Sequence, residues 1–158
     1  MWVANSFDLV HRENVPNGWK LDNNYEYEND TNLEFDILIK QKPESVKYLE
    51  KTLLDVSNPK SVNYGHHLSK SEINEVLDNF TQEEKTLKRV LCSEFNCTDH
   101  FDSLHCSLHP TKFSSYEGQV MRFNLMNYSR RIFLGKIVIP DIFKKVIDFT
   151  LGLSDLPY

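Results

Sequence analysis

Residues 33–56 read LEFDILIKQKPESVKYLEKTLLDV, and the spacing of the apolar positions changes at Pro43. Before it, Leu33, Phe35, Ile37 and Ile39 alternate with Glu34, Asp36, Leu38 and Lys40, the two-residue period of a strand with one buried face. After it, Val46, Leu49, Leu53 and Val56 recur three and four apart, the stripe of an amphipathic helix. Proline suits the first helical turn, and Asn58-Pro59 ends the helix because a proline disfavours helical geometry in the residue before it.

Downstream, Ser69 with Glu72 and Thr81 with Glu84 each fit a capping box, so two further helices are expected to begin at Lys70 and just after Thr81. Leu68 and Ile73 fit a hydrophobic staple for the first, which runs to Leu77. The second presents Leu87, Val90, Leu91 and Phe95 inward. His66 and His67 then fall in an entry loop after a turn at Gly65, with no acidic or cysteine ligand at helical spacing, and read as loop residues without catalytic chemistry.

The second half reads as strands over residues 101–108, 120–128 and 131–139, the last two forming a hairpin around Ser129-Arg130. Pro140 is expected to open a last helix carrying Ile142, Phe143, Val146 and Ile147 and stopping at Gly152. Strand, helices, strand, hairpin, helix predicts an α+β fold: a ferredoxin-like antiparallel sheet with helices on one face. The expected divisions are an irregular lead-in over 1–32, a core over 33–152 and the start of a linker over 153–158. Both hairpin faces are apolar, a surplus where only one face is covered by helices. Leu38, Val120, Met126, Ile132, Leu134 and Val138 are therefore candidate docking residues.

The chain has 158 residues, 40% hydrophobic, enough for one packed core. A formal charge of −5 gives no electrostatic reason to expect nucleic acid, and no apolar run is long enough to span a membrane. The opening WVANSFDLVHRENV has neither a basic start nor an apolar signal core, so a secreted product is expected to have shed its leader. Cys97 and Cys106 are spaced for a local disulfide; a Cys/His metal module would instead draw on Cys92, Cys97, His100, His105, Cys106 and His109. Sequons at Asn29, Asn79, Asn96 and Asn127, with a disulfide, point toward an oxidising secretory route.

Residues 49–77, LEKTLLDVSNPKSVNYGHHLSKSEINEVL, resemble the activation pro-domain of the sedolisin peptidases, the group of kumamolisin and tripeptidyl-peptidase I. The resemblance rests on a helix ending V-S-N-P, then Tyr64-Gly65 and Leu68-Ser69; Pro59 belongs to the same motif. VPNGWK, LEFDILIKQ and IPDIFKKVIDFTLGLSDLP are similar to flanking segments, so the likeness spans residues 15–157. The Cys97/Cys106 pair is similar in placement to a pro-domain disulfide of the tripeptidyl-peptidase I branch, whereas Cys92 has no counterpart and Asn58-Pro59 replaces the commoner Asp-Pro.

Sedolisins cleave peptides with serine, glutamate and aspartate beside a calcium site. No G-T-S turn, G-x-S-x-G or acid-rich calcium loop occurs here, so no catalytic or metal residue is assigned and calcium is expected only in a separate catalytic domain. The resemblance implies a propeptide without enzymatic activity. Its partner is a cognate sedolisin catalytic domain, which it helps to fold and inhibits until acidification, on a lysosomal or extracellular route. A stand-alone secreted peptidase inhibitor is the nearest alternative. Leu153, Ser154, Asp155, Leu156, Pro157 and Tyr158 would begin the segment that blocks the substrate cleft, and His66 and His67 would sense pH.

Overall fold

The computed structural model describes residues 5–156. In chain order the elements are β1 (Ser6–Arg12), β2 (Lys20–Leu21), β3 (Leu33–Ile39), α1 (Pro43–Val56), α2 (Lys70–Leu77) and α3 (Gln82–Phe95). There follow β4 (Cys97–Asp99), β5 (Ser103–Leu108), β6 (Glu117–Leu125), β7 (Tyr128–Pro140) and β8 (Ile147–Leu151). The strands form two antiparallel sheets, ordered β1-β7-β6-β2 and β4-β5-β3-β8.

Each sheet turns one face into a shared core. The first contributes Val10, Val120, Phe133, Ile137 and Ile139; the second contributes Phe35, Ile37, Leu104 and Ile147. Leu87, Leu91 and Phe95 of α3 join them, with Phe95 meeting the Phe35 ring edge-on at 6.0 Å. Phe113 bridges the sheets, its ring 6.2 Å from Phe35 and 5.5 Å from Phe133. Burying each such side chain contributes about 1.5–3 kcal/mol. Asp30 ties the lead-in to the hairpin, with one carboxylate oxygen 3.2 Å from both Arg122 and Arg131.

The α+β class and its antiparallel pairing hold, but the strands divide between two sheets. The reason lies in the segment expected to be irregular: residues 6–12 form β1, which pairs with β7 and draws the hairpin into a sheet of its own. The last expected helix is also corrected. After Pro140 only a 3-10 turn, Asp141–Lys145, forms, and Ile147–Leu151 then pairs with β3 as a strand. Tertiary pairing overrides a pattern that a helix could also have satisfied.

The hairpin turns at Met126-Asn127, earlier than Ser129-Arg130, and Met126 takes the left-handed φ of +50° that the tight turn demands. Of the α1 stripe only Val56 is buried, while Leu53 is 61% exposed, because α1 packs on α2 rather than into the shared core. On α3, Val90 is exposed, and Lys88 is buried instead with its ammonium 3.1 Å from the Asp99 carboxylate.

Candidate functional site

Strand alternation decides what the second sheet shows to solvent. With Phe35 and Ile37 inside, Glu34, Asp36 and Leu38 point outward. Their ladder partners on the same face are Ser107, His105 and Ser103 of β5, and Leu151 and Phe149 of β8 beside Asp36 and Leu38. Phe149 is 47% and Leu151 45% exposed, so with the half-buried Leu38 they form an open apolar strip. Beside it His105 sits between two carboxylates: Nδ1 is 2.9 Å from Asp36 Oδ1 and Nε2 is 3.1 Å from Glu34 Oε2. The hydrogen bond to Asp36, with the two negative charges, raises the His105 pKa above the usual histidine value.

The first sheet is different. The outward residues of its hairpin, Phe123 and Ile132, are covered by Trp19 and Leu156, with Leu134 partly buried against them. The turn at Pro16-Asn17-Gly18 delivers Trp19, its N–H donating to the Pro16 carbonyl at 3.3 Å while Gly18 takes a φ of +95°. From the other end, the Phe133 N–H donates to the Leu153 carbonyl at 2.7 Å, and Arg12 Nη1 donates to the Ser154 carbonyl at 2.8 Å. The Gly152 N–H donates to the Asp155 carboxylate.

These contacts redistribute the candidate docking residues. Val120 lies in the shared core and Ile132 in the second cluster, so neither presents a surface; the apolar surplus of the hairpin is used internally. Val138 and Met126 are exposed, but Met126, at 94%, stands on the hairpin tip away from the strip. Leu38 alone of the six lies on the open face of the second sheet. Phe149 and Leu151 escaped notice because residues 147–151 read as helix; the spacing of Phe149 and Leu151 about Thr150 is the strand signal that finds them, while a register shift puts Ile147 on the buried face. Leu153 and Leu156 are interior residues, so a free linker cannot begin before Leu156. Pro157 and Tyr158 lie outside the described residues.

The motif loop is organised by Asp55. Its carboxylate accepts from the Ser61 hydroxyl and from Asn63 Nδ2, the latter at 2.7 Å, and these bonds hold its pKa below the usual aspartate value. Gly65, at a left-handed φ of +77°, donates its N–H to the Val56 carbonyl at 2.8 Å, folding the loop back on α1. Tyr64 is exposed and Pro59 lies in the turn that leaves α1. Leu68 leads to Ser69, which with Glu72 makes the reciprocal capping box. His66 and His67 are exposed and, among the described residues, face no carboxylate within ion-pair distance.

Cys97 and Cys106 stand opposite each other on β4 and β5 and are joined by a disulfide. The metal-module alternative therefore loses two thiolates, and no group of three or more His, Cys, Asp or Glu among the described residues is placed to hold a metal ion. Cys92 is free and partly buried, and burial raises its thiol pKa. Asn29, Asn79, Asn96 and Asn127 are all exposed, but Asn96 caps α3 at a left-handed φ of +51° and its side-chain amide donates to the Ser107 carbonyl at 2.9 Å. No helix among the described residues is long and apolar enough to cross a membrane.

The described residues thus form an α+β domain in which the chain covers the outer face of one sheet and leaves that of the other open. Comparison with known families gives the class its particular form. Residues 17–93 match the Pro-kumamolisin activation domain, a match that supports a sedolisin-type activation propeptide, a family that implies the non-catalytic part of a zymogen. The match takes in the turn before Trp19, β3, the motif loop and most of α3, and stops before the disulfide. No curated protein matches the chain.

Proposed function

We propose that this propeptide docks on the catalytic domain of its own sedolisin-type peptidase, assists that domain's folding and keeps it inactive until the pH falls. The observation that carries the reading is the apolar strip of Leu38, Phe149 and Leu151, open on one face of a sheet whose other face is core. Burial of such a strip against a partner is favourable in proportion to its apolar area. A surface that binds only the native partner stabilises that native state by mass action, which gives inhibition and folding assistance a common cause. On this reading the chain that follows Leu156 enters the substrate cleft. The disulfide and the exposed sequons favour a secretory, lysosomal or extracellular route, and the placement of the disulfide favours the tripeptidyl-peptidase branch.

The test is inhibition of the mature peptidase near neutral pH, followed with a tripeptidyl substrate. The full chain is expected to inhibit at micromolar concentration. Phe149→Asp is expected to weaken inhibition by at least about tenfold, as loss of a central apolar contact does. Absence of inhibition by the unaltered chain overturns the reading.

A further inference from the structure

His105 has a geometry that a neutral imidazole cannot satisfy. Both ring nitrogens confront carboxylate oxygens, Nδ1 at 2.9 Å and Nε2 at 3.1 Å, yet a neutral ring carries a single N–H. In that form one carboxylate meets a lone pair, and the cluster bears two negative charges. Protonation supplies the second N–H and brings the cluster to a single negative charge.

Resting on the docking reading above, we propose that Glu34 and Asp36 receive a lysine or arginine side chain of the peptidase domain, and that a proton on His105 competes with that cation for the same carboxylates. The cluster adjoins the apolar strip, since Asp36 is the ladder partner of both His105 on β5 and Leu151 on β8. A partner buried on Leu38, Phe149 and Leu151 would therefore reach these carboxylates. A compact cation there forms charge-assisted hydrogen bonds in a setting that docking desolvates.

The surrounding groups leave this pair as the local negative charge. On β5, the Ser107 hydroxyl donates to Glu34 Oε1 at 2.6 Å. From β4, Thr98 stands opposite His105, and the neighbouring Asp99 is already paired with Lys88 at 3.1 Å. From the loop between β4 and β5, the His100 ring lies edge-on with its centroid 6.4 Å from that of His105, and Asp102 accepts from the Ser103 hydroxyl at 3.3 Å. From β8, Leu151 is apolar, and the exposed Asp148 sits at the register shift between Ile147 and Phe149, beyond Leu38 in the ladder from Asp36. Among these side chains His105 alone touches both carboxylates.

Linkage fixes the direction. If a bound cation makes the proton harder to add, the proton makes the cation harder to bind by the same factor. The grip therefore weakens as pH falls through the His105 titration, which its carboxylates place above the ordinary value near ~6.5. This precedes titration of ordinary carboxylates.

The experiment measures inhibition constants of the full chain against its mature peptidase at pH 7.5 and 5.5. The unaltered chain is expected to bind about fivefold or more weakly at the lower pH. His105→Gln, which cannot be protonated, is expected to abolish that difference, and His105→Lys to bind weakly at both pH values. Asp36→Asn is expected to weaken binding at pH 7.5, while circular dichroism verifies that each variant is folded. Retention of the full pH difference by His105→Gln overturns this inference and leaves docking intact. Failure of the unaltered chain to bind at either pH overturns both.

Discussion

The two sheets bury one face each in the same core and differ in what lies on the other. The hairpin of the first sheet carries apolar residues on both faces, and the chain covers the second with Trp19 and Leu156. The second sheet has the cleaner alternation, yet its outer face keeps Leu38, Phe149 and Leu151 uncovered beside an ionic cluster. Apolar content alone is therefore a poor guide to which face of a sheet stays open. What matters is whether the chain has enough of its own surface nearby to cover the excess.

The sharpest test uses two leucines two residues apart. Leu153 is fully buried and Leu151 is 45% exposed, so Leu153→Ala is expected to cost about 2–5 kcal/mol of unfolding free energy in urea. Leu151→Ala is expected to change it by less than about 1 kcal/mol and to weaken peptidase inhibition instead. Equal stability losses would erase the distinction between covered and open faces. Next in size, replacing Cys97 and Cys106 together by serine removes a short closed loop and is expected to cost about 2–3 kcal/mol. Hydrogen exchange should then show the loss of protection in β4 and β5 before β6 and β7.

Ser69→Ala, which removes the α2 cap, is expected to cost about 1 kcal/mol, read from the same urea transition. Because α1 and α2 contribute no residue to the shared core, both sheets should keep their exchange protection.

The smallest effects are those of pH, and they oppose one another. Burial works against the charge of Asp30, but the Thr31 N–H and the guanidiniums of Arg131 and Arg122 outweigh it and lower the pKa. That contribution is present above the unfolded value near ~3.9 and is lost as pH falls through the lower folded value. His105 has a raised pKa, so its contribution is present below about 6.5 and is lost as pH rises through the folded value. Thermal midpoints of the isolated chain should therefore be highest between these limits. Asp30→Asn should flatten the acid limb and His105→Gln the neutral one, each within about 1 kcal/mol for groups open to solvent screening.

What was legible in the sequence was local. The alternation of β3, the proline start of α1 and both capping boxes involve residues a few positions apart, and the structure keeps them all. What was not legible depended on distant partners. β1 carries a register shift between Asp8 and Val10 that breaks its alternation, and its pairing partner is β7, more than a hundred residues away in the chain. Residues 146–151 offered two periods at once, and pairing with β3 selected the strand. The candidate site suffered most from this, because two of its three apolar residues lie on that strand. His105 was noted only as a possible metal ligand, since its carboxylate neighbours come from β3.

The anchoring of Leu153 and Leu156 also determines where a proteinase can cut. Cleavage requires several consecutive residues to lie extended in the attacking enzyme's cleft, and residues 152–156 are held by the Phe133 N–H, Arg12 and two buried leucines. Peptide bonds in this stretch are shielded for as long as the domain stays folded. Cuts that leave the folded domain intact are therefore expected beyond Leu156. A cut within the anchored stretch would require local unfolding first, and would leave the first sheet without the cover that Leu156 provides.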